Sequence, residues 1–375
     1  MQGMAEELYI FAGGGTGGHL YPGLAVAEEL IARRPGAKVV FACSGRAIDR
    51  RILDPLPYVI VPQPVRPFPK NPSGWPGFLA AWAKSARLAR RLVADLRPAG
   101  VLGLGGFAAA PIVIRAAAAG VPTALLNPDA VPGKANRALA AKADVIFSQF
   151  PSTQEAFPPG LRGKVRCVGC PVRRGLAGAS RAEGLARFGL RSGRRTLLIF
   201  GGSLLAEALG EAVERLAGDL AGFASTWQVV HISGSPSARR IERTLKDQGL
   251  AVCTQSYCDR MDLAYAAADL VLARAGAVTV AELAATGKPA VLMPYPHHAD
   301  RHQFLNAAAL AQAGAAVVCE DFKDPAATAA ALGGVLLPLL GDADALASMC
   351  QAAAKLATQS SAASTVAQWL LAGGK

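Results

Sequence analysis

Aromatic residues are scarce in this chain, at 6%. Stacking on aromatic side chains is a common grip on single-stranded nucleic acid, so the scarcity argues against that partner, and none of the usual nucleic-acid-binding motifs is present. Charged residues are also few, at 18% against 52% hydrophobic, which favours a large buried core over disorder. No apolar run reads as a membrane span. The most apolar region, 101–126, is broken by Gly103, Gly105, Gly106, Pro111, Arg115 and Pro122, and reads as buried strands around a helix. The opening MQGMAEELYIFAGGG lacks the basic segment and apolar run of a secretion signal. The seven cysteines are odd in number and scattered, so no disulfide framework is expected and a reducing cytosol is the simplest home. Cys167 and Cys170 form one C-x-x-C with no second beside it, which reads as structural.

What the chain has in excess is positive charge. Lys and Arg number 39 against 27 Asp and Glu, for a net charge of +12. An anionic partner follows: an acidic membrane surface or a phosphorylated substrate, with no nucleic acid.

Short apolar runs alternate with helical stretches along the 375 residues. Candidate strands are 8–11, 38–43, 59–61, 101–104, 123–126, 145–148 and 164–168, then 196–200, 228–232, 251–254, 270–273, 290–293 and 316–319. This βαβα alternation predicts an α/β fold with parallel, doubly wound sheets. The two halves open alike, with LYIFAGGGTGG near the start and LLIFGGSLLAE at 197–207. Two Rossmann-like domains are expected, at 1–172 and 173–375, facing a central cleft that takes the ligand. The last helical segment, in AASTVAQWLLAGGK, is expected to cross back to the first domain.

The stretch GGGTGGHLYPGLAVAEEL packs five glycines and a threonine into positions 13–18, followed by His19. Glycines let a substrate approach bare backbone, and a helix starting there presents N–H groups to an anion. Three site types use this device. A dinucleotide site fits G-x-G-x-x-G at Gly13, Gly15 and Gly18, but the next strand ends FACSGR without an acidic residue for a ribose. A P-loop needs G-K-[ST], and the turn ends G-G-H. A sugar-nucleotide transferase remains, and gives His19 a task. At a helix N-terminus the imidazole is held neutral, and a neutral ring can take a proton from a hydroxyl.

The second half reads ADLVLARAGAVTVAELAATGKPAVLMPYPHHADRHQFLNAAAL from Ala268. A strand enters Arg274–Ala275–Gly276, and a helix begins near Ala277 and carries Glu282. The turn suits a diphosphate, and the glutamate suits two ribose hydroxyls. His297, His298 and His302 cluster without any zinc-site spacing or nearby cysteine, so no metal is expected.

Together GGGTGGHLYPGLAVAEEL, GLGGFAAAP, PVR, RAGAVTVAELAATGKPAVLMPYP and HQFLNA resemble the N-acetylglucosaminyltransferase family that converts lipid I to lipid II in peptidoglycan synthesis, the MurG type. The resemblance runs from the first strand to about Asn306. It implies a GT-B fold, UDP-N-acetylglucosamine as donor, a lipid-linked muramyl-pentapeptide acceptor, inversion at the anomeric carbon, and no metal or other cofactor. It implies a peripheral enzyme on the cytoplasmic face of the inner membrane. His19 would be the base. Thr16, Gly17, Gly18, Asp129, Arg173, Ser203, Cys258, His302 and Gln303 would meet the donor, with Ala277, Val278, Thr279, Val280, Ala281 and Glu282 forming the helix start. Gly14, Gly15, Gly105, Gly106, Asn127 and Asn136 would face the acceptor.

The chain departs from the family at three places, one of them Cys170, which replaces an asparagine before Pro171. Leu126–Asn127–Pro128–Asp129 stands where the family reads H-E-Q-N, and Leu204–Leu205–Ala206 where it reads Q-G-A. Two other readings therefore stay open: a GT-B transferase or epimerase with a different acceptor, and a membrane-associated binding homologue with altered catalysis. For the membrane itself, WPGFLAAWAKSARLARRLVADLRP offers Trp75, Phe78, Leu79 and Trp82 at helical spacing, followed by Arg87, Arg90 and Arg91. Such a helix can lie in a bilayer interface and hold anionic lipid, or its apolar stripe can pack into the protein's own core.

Overall fold

The computed structural model describes residues 7–69, 71–201, 207–357 and 361–375. The chain divides into two compact units. Among the described residues the first unit holds 7–174 and 361–375, and the second holds 175–357. The boundary falls after Arg174 rather than after residue 172, and the helix Ala362–Leu371 belongs to the first unit.

The first unit is built on a sheet of seven strands: β1 Leu8–Gly13, β2 Lys38–Cys43, β3 Val59–Pro62, β4 Gly100–Gly105, β5 Thr123–Asn127, β6 Val145–Ser148 and β7 Val165–Cys167. Their order is β3-β2-β1-β4-β5-β6-β7. Every pairing is parallel. The second unit has six strands: β8 Arg195–Phe200, β9 Trp227–Ile232, β10 Ala251–Gln255, β11 Leu270–Ala273, β12 Ala290–Leu292 and β13 Ala316–Val318. Their order is β10-β9-β8-β11-β12-β13, again all parallel. Both are Rossmann-like sheets of the kind found in GT-B proteins.

Burial on both faces explains why the strands read as near-continuous apolar runs. Ile10 lies in register with Val40 on one side and Val101 on the other, and all three are buried. Leu198 pairs Val230 and Val271 in the same way. Each sheet reverses its winding beside its first strand, between β1 and β4 and between β8 and β11. Ligands bind at the carboxyl ends of strands at such a reversal. In the first unit the register slips between Ala12 and Gly13, so that Gly13 comes opposite Gly105. The two glycine-rich turns are thereby brought side by side.

The helix Ala362–Leu371 closes the first unit's core. Val366, Trp369 and Leu370 are buried with Tyr9, Leu20 and Phe147, and the Trp369 indole meets the Phe147 ring edge-on at 5.9 Å. In the second unit the helices Pro325–Gly341 and Ala343–Leu356 are apolar and bent by 95° to one another. Their Leu332, Leu336, Leu339, Leu346 and Met349 are core residues. Among the described residues no single helix is long and apolar enough to cross a membrane.

Candidate active site

In the first unit β1 ends on Gly13, and the helix Gly17–Arg33 begins after Thr16. Between them Gly14 and Gly15 have φ of 145° and 88°. Only glycine adopts these values without strain. A Cβ on Gly13 would lie 2.7 Å from Leu104, and one on Gly14 would lie 2.9 Å from the Asp49 carboxylate. The glycine run is thus fixed by crowding as well as by backbone angle.

His19 sits in the first turn of that helix, half-buried. Its ring lies over Gly105 and Gly106, where φ is 99° and 72°. A Cβ on Gly105 would come within 3.0 Å of the ring, and one on Gly106 within 3.4 Å. The Nδ1 atom is 3.1 Å from the Gly14 carbonyl oxygen and 3.2 Å from the Thr16 hydroxyl. A carbonyl only accepts, so a hydrogen on Nδ1 makes this bond and leaves Nε2 of a neutral ring with its lone pair. Desolvation pushes the His19 pKa below the ordinary value, while the Gly14 carbonyl, Asp129 and Asp49 pull the other way. The ring is held neutral near pH 7 with one nitrogen free to accept a proton.

Thr16 is the N-cap residue but makes no side-chain capping bond among the described residues. Arg173 stacks its guanidinium on Tyr21, 4.6 Å from the ring centre. Asn127 and Asn136 are buried and bonded to each other: the Asn136 amide donates to Asn127 Oδ1 at 3.0 Å and to the Leu126 carbonyl at 2.8 Å. The Asn127 amide donates to the Asp129 carbonyl at 2.8 Å. These asparagines shape the loop after β5, and Asp129 is the residue of that loop whose charge reaches His19.

In the second unit β11 runs into Arg274, which is buried. Its guanidinium donates to the Met293 and Pro294 carbonyls at 3.1 and 3.3 Å and pairs with Asp321 at 2.8 Å. It ties together the chain ends that follow β11, β12 and β13. Gly276 then caps the helix Ala277–Thr286 without a side-chain bond. Ala277, Val280 and Ala281 are buried, and Val278 and Thr279 half-buried. What this turn offers a ligand is chiefly backbone N–H, the arrangement that takes a phosphate. Glu282 is 7% exposed and accepts the Tyr265 hydroxyl at 2.9 Å through Oε2. Asn306 donates to the Ala275 carbonyl at 3.1 Å, and Gln303 Oε1 accepts the Tyr295 N–H at 2.9 Å. The His302 Nδ1 lies 2.7 Å from Asp300, and its ring stacks on His298 at 4.3 Å. Cys258 is buried, and burial pushes its thiol pKa up. Ser203, with Leu204, Leu205 and Ala206, lies outside the described residues.

Two groups of each unit escape a reading of the sequence. Asp49 is fully buried beneath the glycine turn. Its Oδ1 accepts the Gly15 N–H at 2.6 Å, and its Oδ2 accepts the Ser44 N–H and hydroxyl. A search for an acid at the end of β2 stops short of it, because Asp49 lies past the Ser44–Gly45 turn in the next helix, Ala47–Leu53. Arg46 of the same turn stacks on Phe107 at 5.2 Å. In the second unit Tyr265 and Asp321, which orient Glu282 and Arg274, come from elements with no motif of their own.

The helix Trp75–Leu96 presents its small residues inward: Ala81, Ser85, Ala89 and Val93 are the buried ones. Trp75 and Leu79 are exposed at 39% and 55%, and Phe78 and Trp82 are half-buried. The exposed Phe68, from the preceding loop, packs edge-on against Trp75 and Phe78 at 4.9 and 5.5 Å. Arg87, Arg90 and Arg91 are exposed farther along the helix.

Residues 9–148 match the N-terminal domain of glycosyltransferase family 28, and residues 196–366 match its C-terminal domain. The UDP-N-acetylglucosamine--N-acetylmuramyl-(pentapeptide) pyrophosphoryl-undecaprenol N-acetylglucosamine transferase of Chlorobaculum tepidum is 38% identical over 371 residues, covering 98% of this chain and 99% of its own. The protein of the same name from Halothermothrix orenii is 38% identical over 321 residues, 83% of this chain and 85% of its own. The crystal structure of Acinetobacter baumannii MurG aligns with a TM-score of 0.71 at 27% identity, covering 98% and 99% of the two chains. A putative UDP-N-acetylglucosamine 2-epimerase from Listeria monocytogenes, at 15% identity and a TM-score of 0.65, shares the fold. The chain belongs to glycosyltransferase family 28, in its MurG-type N-acetylglucosaminyltransferase branch.

Proposed function

We propose that this protein transfers N-acetylglucosamine from UDP-N-acetylglucosamine to the muramyl C4 hydroxyl of a lipid-linked muramyl-pentapeptide diphosphate, with inversion, in peptidoglycan synthesis. The observation that carries the mechanism is the His19 ring with its Nδ1 3.1 Å from the Gly14 carbonyl oxygen, a contact that a hydrogen on Nδ1 makes and that leaves Nε2 as the base. Nε2 takes the hydroxyl proton as the sugar oxygen attacks the anomeric carbon. The bond from that carbon to the diphosphate oxygen breaks, and UDP departs with the electron pair. Backbone N–H groups at the start of the helix Ala277–Thr286 stabilise the charge that develops on it. Glu282 accepts from the ribose hydroxyls, and Gln303 and His302 lie at the sugar and ribose end. Ser203 belongs to the same set by resemblance alone.

His19→Ala tests this. Steady-state assays with UDP-N-acetylglucosamine and a short-chain lipid I are expected to show turnover lower by roughly 10²–10⁴, the usual worth of a general base, with the donor KM nearly unchanged. Intact turnover in the variant removes the base from the mechanism.

We also propose that the cluster of Phe68, Trp75, Phe78, Leu79 and Trp82, with Arg87, Arg90 and Arg91, docks the protein on an anionic bilayer, where its lipid acceptor resides. Exposed aromatic groups beside basic residues suit a headgroup interface. Co-sedimentation with phosphatidylglycerol vesicles is expected to weaken in the Trp75→Ala, Leu79→Ala double variant and in high salt. Binding indifferent to both sinks the assignment.

A further inference from the structure

The buried carboxylate of Asp49 and the imidazole of His19 do not touch, yet one peptide group joins them. The Gly14 carbonyl and the Gly15 N–H are the two ends of the same planar amide. Asp49 Oδ1 accepts from that N–H at 2.6 Å, and His19 Nδ1 lies 3.1 Å from that carbonyl oxygen. We propose that Asp49 is a positioning residue acting through this amide, and that the chain carboxylate–peptide–imidazole holds His19 as its Nδ1–H tautomer with the Nε2 lone pair turned to the substrate hydroxyl. The proposal rests on the reading of His19 as the base.

Hydrogen bonds in series polarise one another. A carboxylate on the N–H pushes electron density onto the carbonyl oxygen, which becomes a better acceptor for Nδ1–H. In serine proteases an aspartate meets the imidazole directly and fixes its tautomer and orientation. Here one amide intervenes, so the effect is smaller but has the same sign. The surroundings favour the chain. Asp49 has no solvent exposure. Its other oxygen is held by the Ser44 N–H and hydroxyl, so the carboxylate cannot swing away. The carboxylate packs directly under Gly14, where any Cβ would collide with it. The glycine run accordingly does more than leave room for a ligand: it lets a buried charge reach the ring through backbone.

Two other charged groups bear on the same place. Asp129, from the loop after β5, acts on His19 through space. Arg46 lies beside Gly15, its Nη1 3.4 Å from where a Cβ on that residue would stand. Asp49, by contrast, bonds to the amide itself.

The test reads the ring itself. In the full chain labelled with ¹⁵N-histidine, long-range proton–nitrogen spectra report which His19 nitrogen is protonated, with assignment by His19→Gln. The unsubstituted protein is expected to show Nδ1–H and a bare Nε2. Protonation at Nε2 overturns the proposal without recourse to any Asp49 variant. Asp49→Asn keeps the shape and removes the charge. It is expected to mix the two tautomers, to move the acid limb of kcat/KM to lower pH, and to lower kcat about ten-fold, with the donor KM within about two-fold. Asp49→Glu is expected to restore much of the loss. A folded Asp49→Asn protein with an unchanged ring spectrum and acid limb overturns the relay. The spectra judge the relay, and the turnover of His19→Ala judges the base, so the two readings fail separately.

Discussion

Glu282, proposed above to accept the ribose hydroxyls, is held in place by a neighbour. It is nearly buried, and the Tyr265 hydroxyl holds one of its oxygens. Glu282→Gln keeps the volume and the Tyr265 contact but loses the charged acceptor. Hydrogen bonds to a charged group are worth ~1.5–3 kcal/mol, so calorimetry is expected to show UDP binding about 10–100-fold weaker. His19 carries a pH dependence of defined sign. Burial lowers its pKa, so with His19 as the proposed base the basic form survives below the ordinary imidazole range, and a pH–rate profile is expected to fall only as pH drops through that lowered value. Glycines and a histidine in this order were readable in the sequence, because Gly13, Gly14 and Gly15 answer local demands of backbone angle and space. Asp49 was not. Its neighbours Ser44, Gly14 and Gly15 come from two different turns, and only the β1–β2 pairing brings those turns together.

At the scale of elements, all thirteen strands lie where the alternation of apolar runs put them, with ends displaced by a residue or two. Strands buried on both faces announce themselves, whereas their ends depend on turns that tertiary contacts set. Helix-to-helix fits were not legible. In the second unit the helix Arg181–Phe188 lies so close to Met261–Ala267 that a Cβ on Gly184 would fall 2.5 Å from the Leu263 carbonyl oxygen and 2.7 Å from the Ala267 nitrogen. Gly184→Ala is expected to cost ~1–3 kcal/mol in urea unfolding, by overpacking against rigid backbone. His231 on β9 supplies a second test. It is 1% exposed, neither ring nitrogen has a partner among the described residues, and desolvation pushes its pKa down to about 4. Unfolded, the ring protonates near 6.5. Stability is therefore full above that pH and drains away as pH falls toward about 4, by ~3 kcal/mol. His231→Val is expected to flatten the fall in urea midpoint between pH 7 and pH 4.

At the scale of the whole molecule, the proposed docking on an anionic bilayer rests on the net charge of +12 and the aromatic cluster. Composition made the charge legible, but Phe68 joins the cluster from a loop outside the helical pattern. The two-unit plan was legible from paired strand-and-glycine openings. The passage of the helix Ala362–Leu371 into the first unit was legible only as an expectation, since nothing local in its sequence says where it packs. Trp369→Ala is expected to destabilise the first unit by ~3–5 kcal/mol, read by loss of His19 ring signals at lower urea.

That returning helix also sets an order of events at birth. The core begun by residues 8–148 is closed by residues 362–371, with all of 175–357 made in between. At ordinary ribosomal speed that interval is on the order of 10–40 s. The half begun first is completed last, and for that time the seat of Trp369, against Phe147, stands uncovered on the nascent chain as an oily strip for a chaperone or a neighbouring polypeptide to seize.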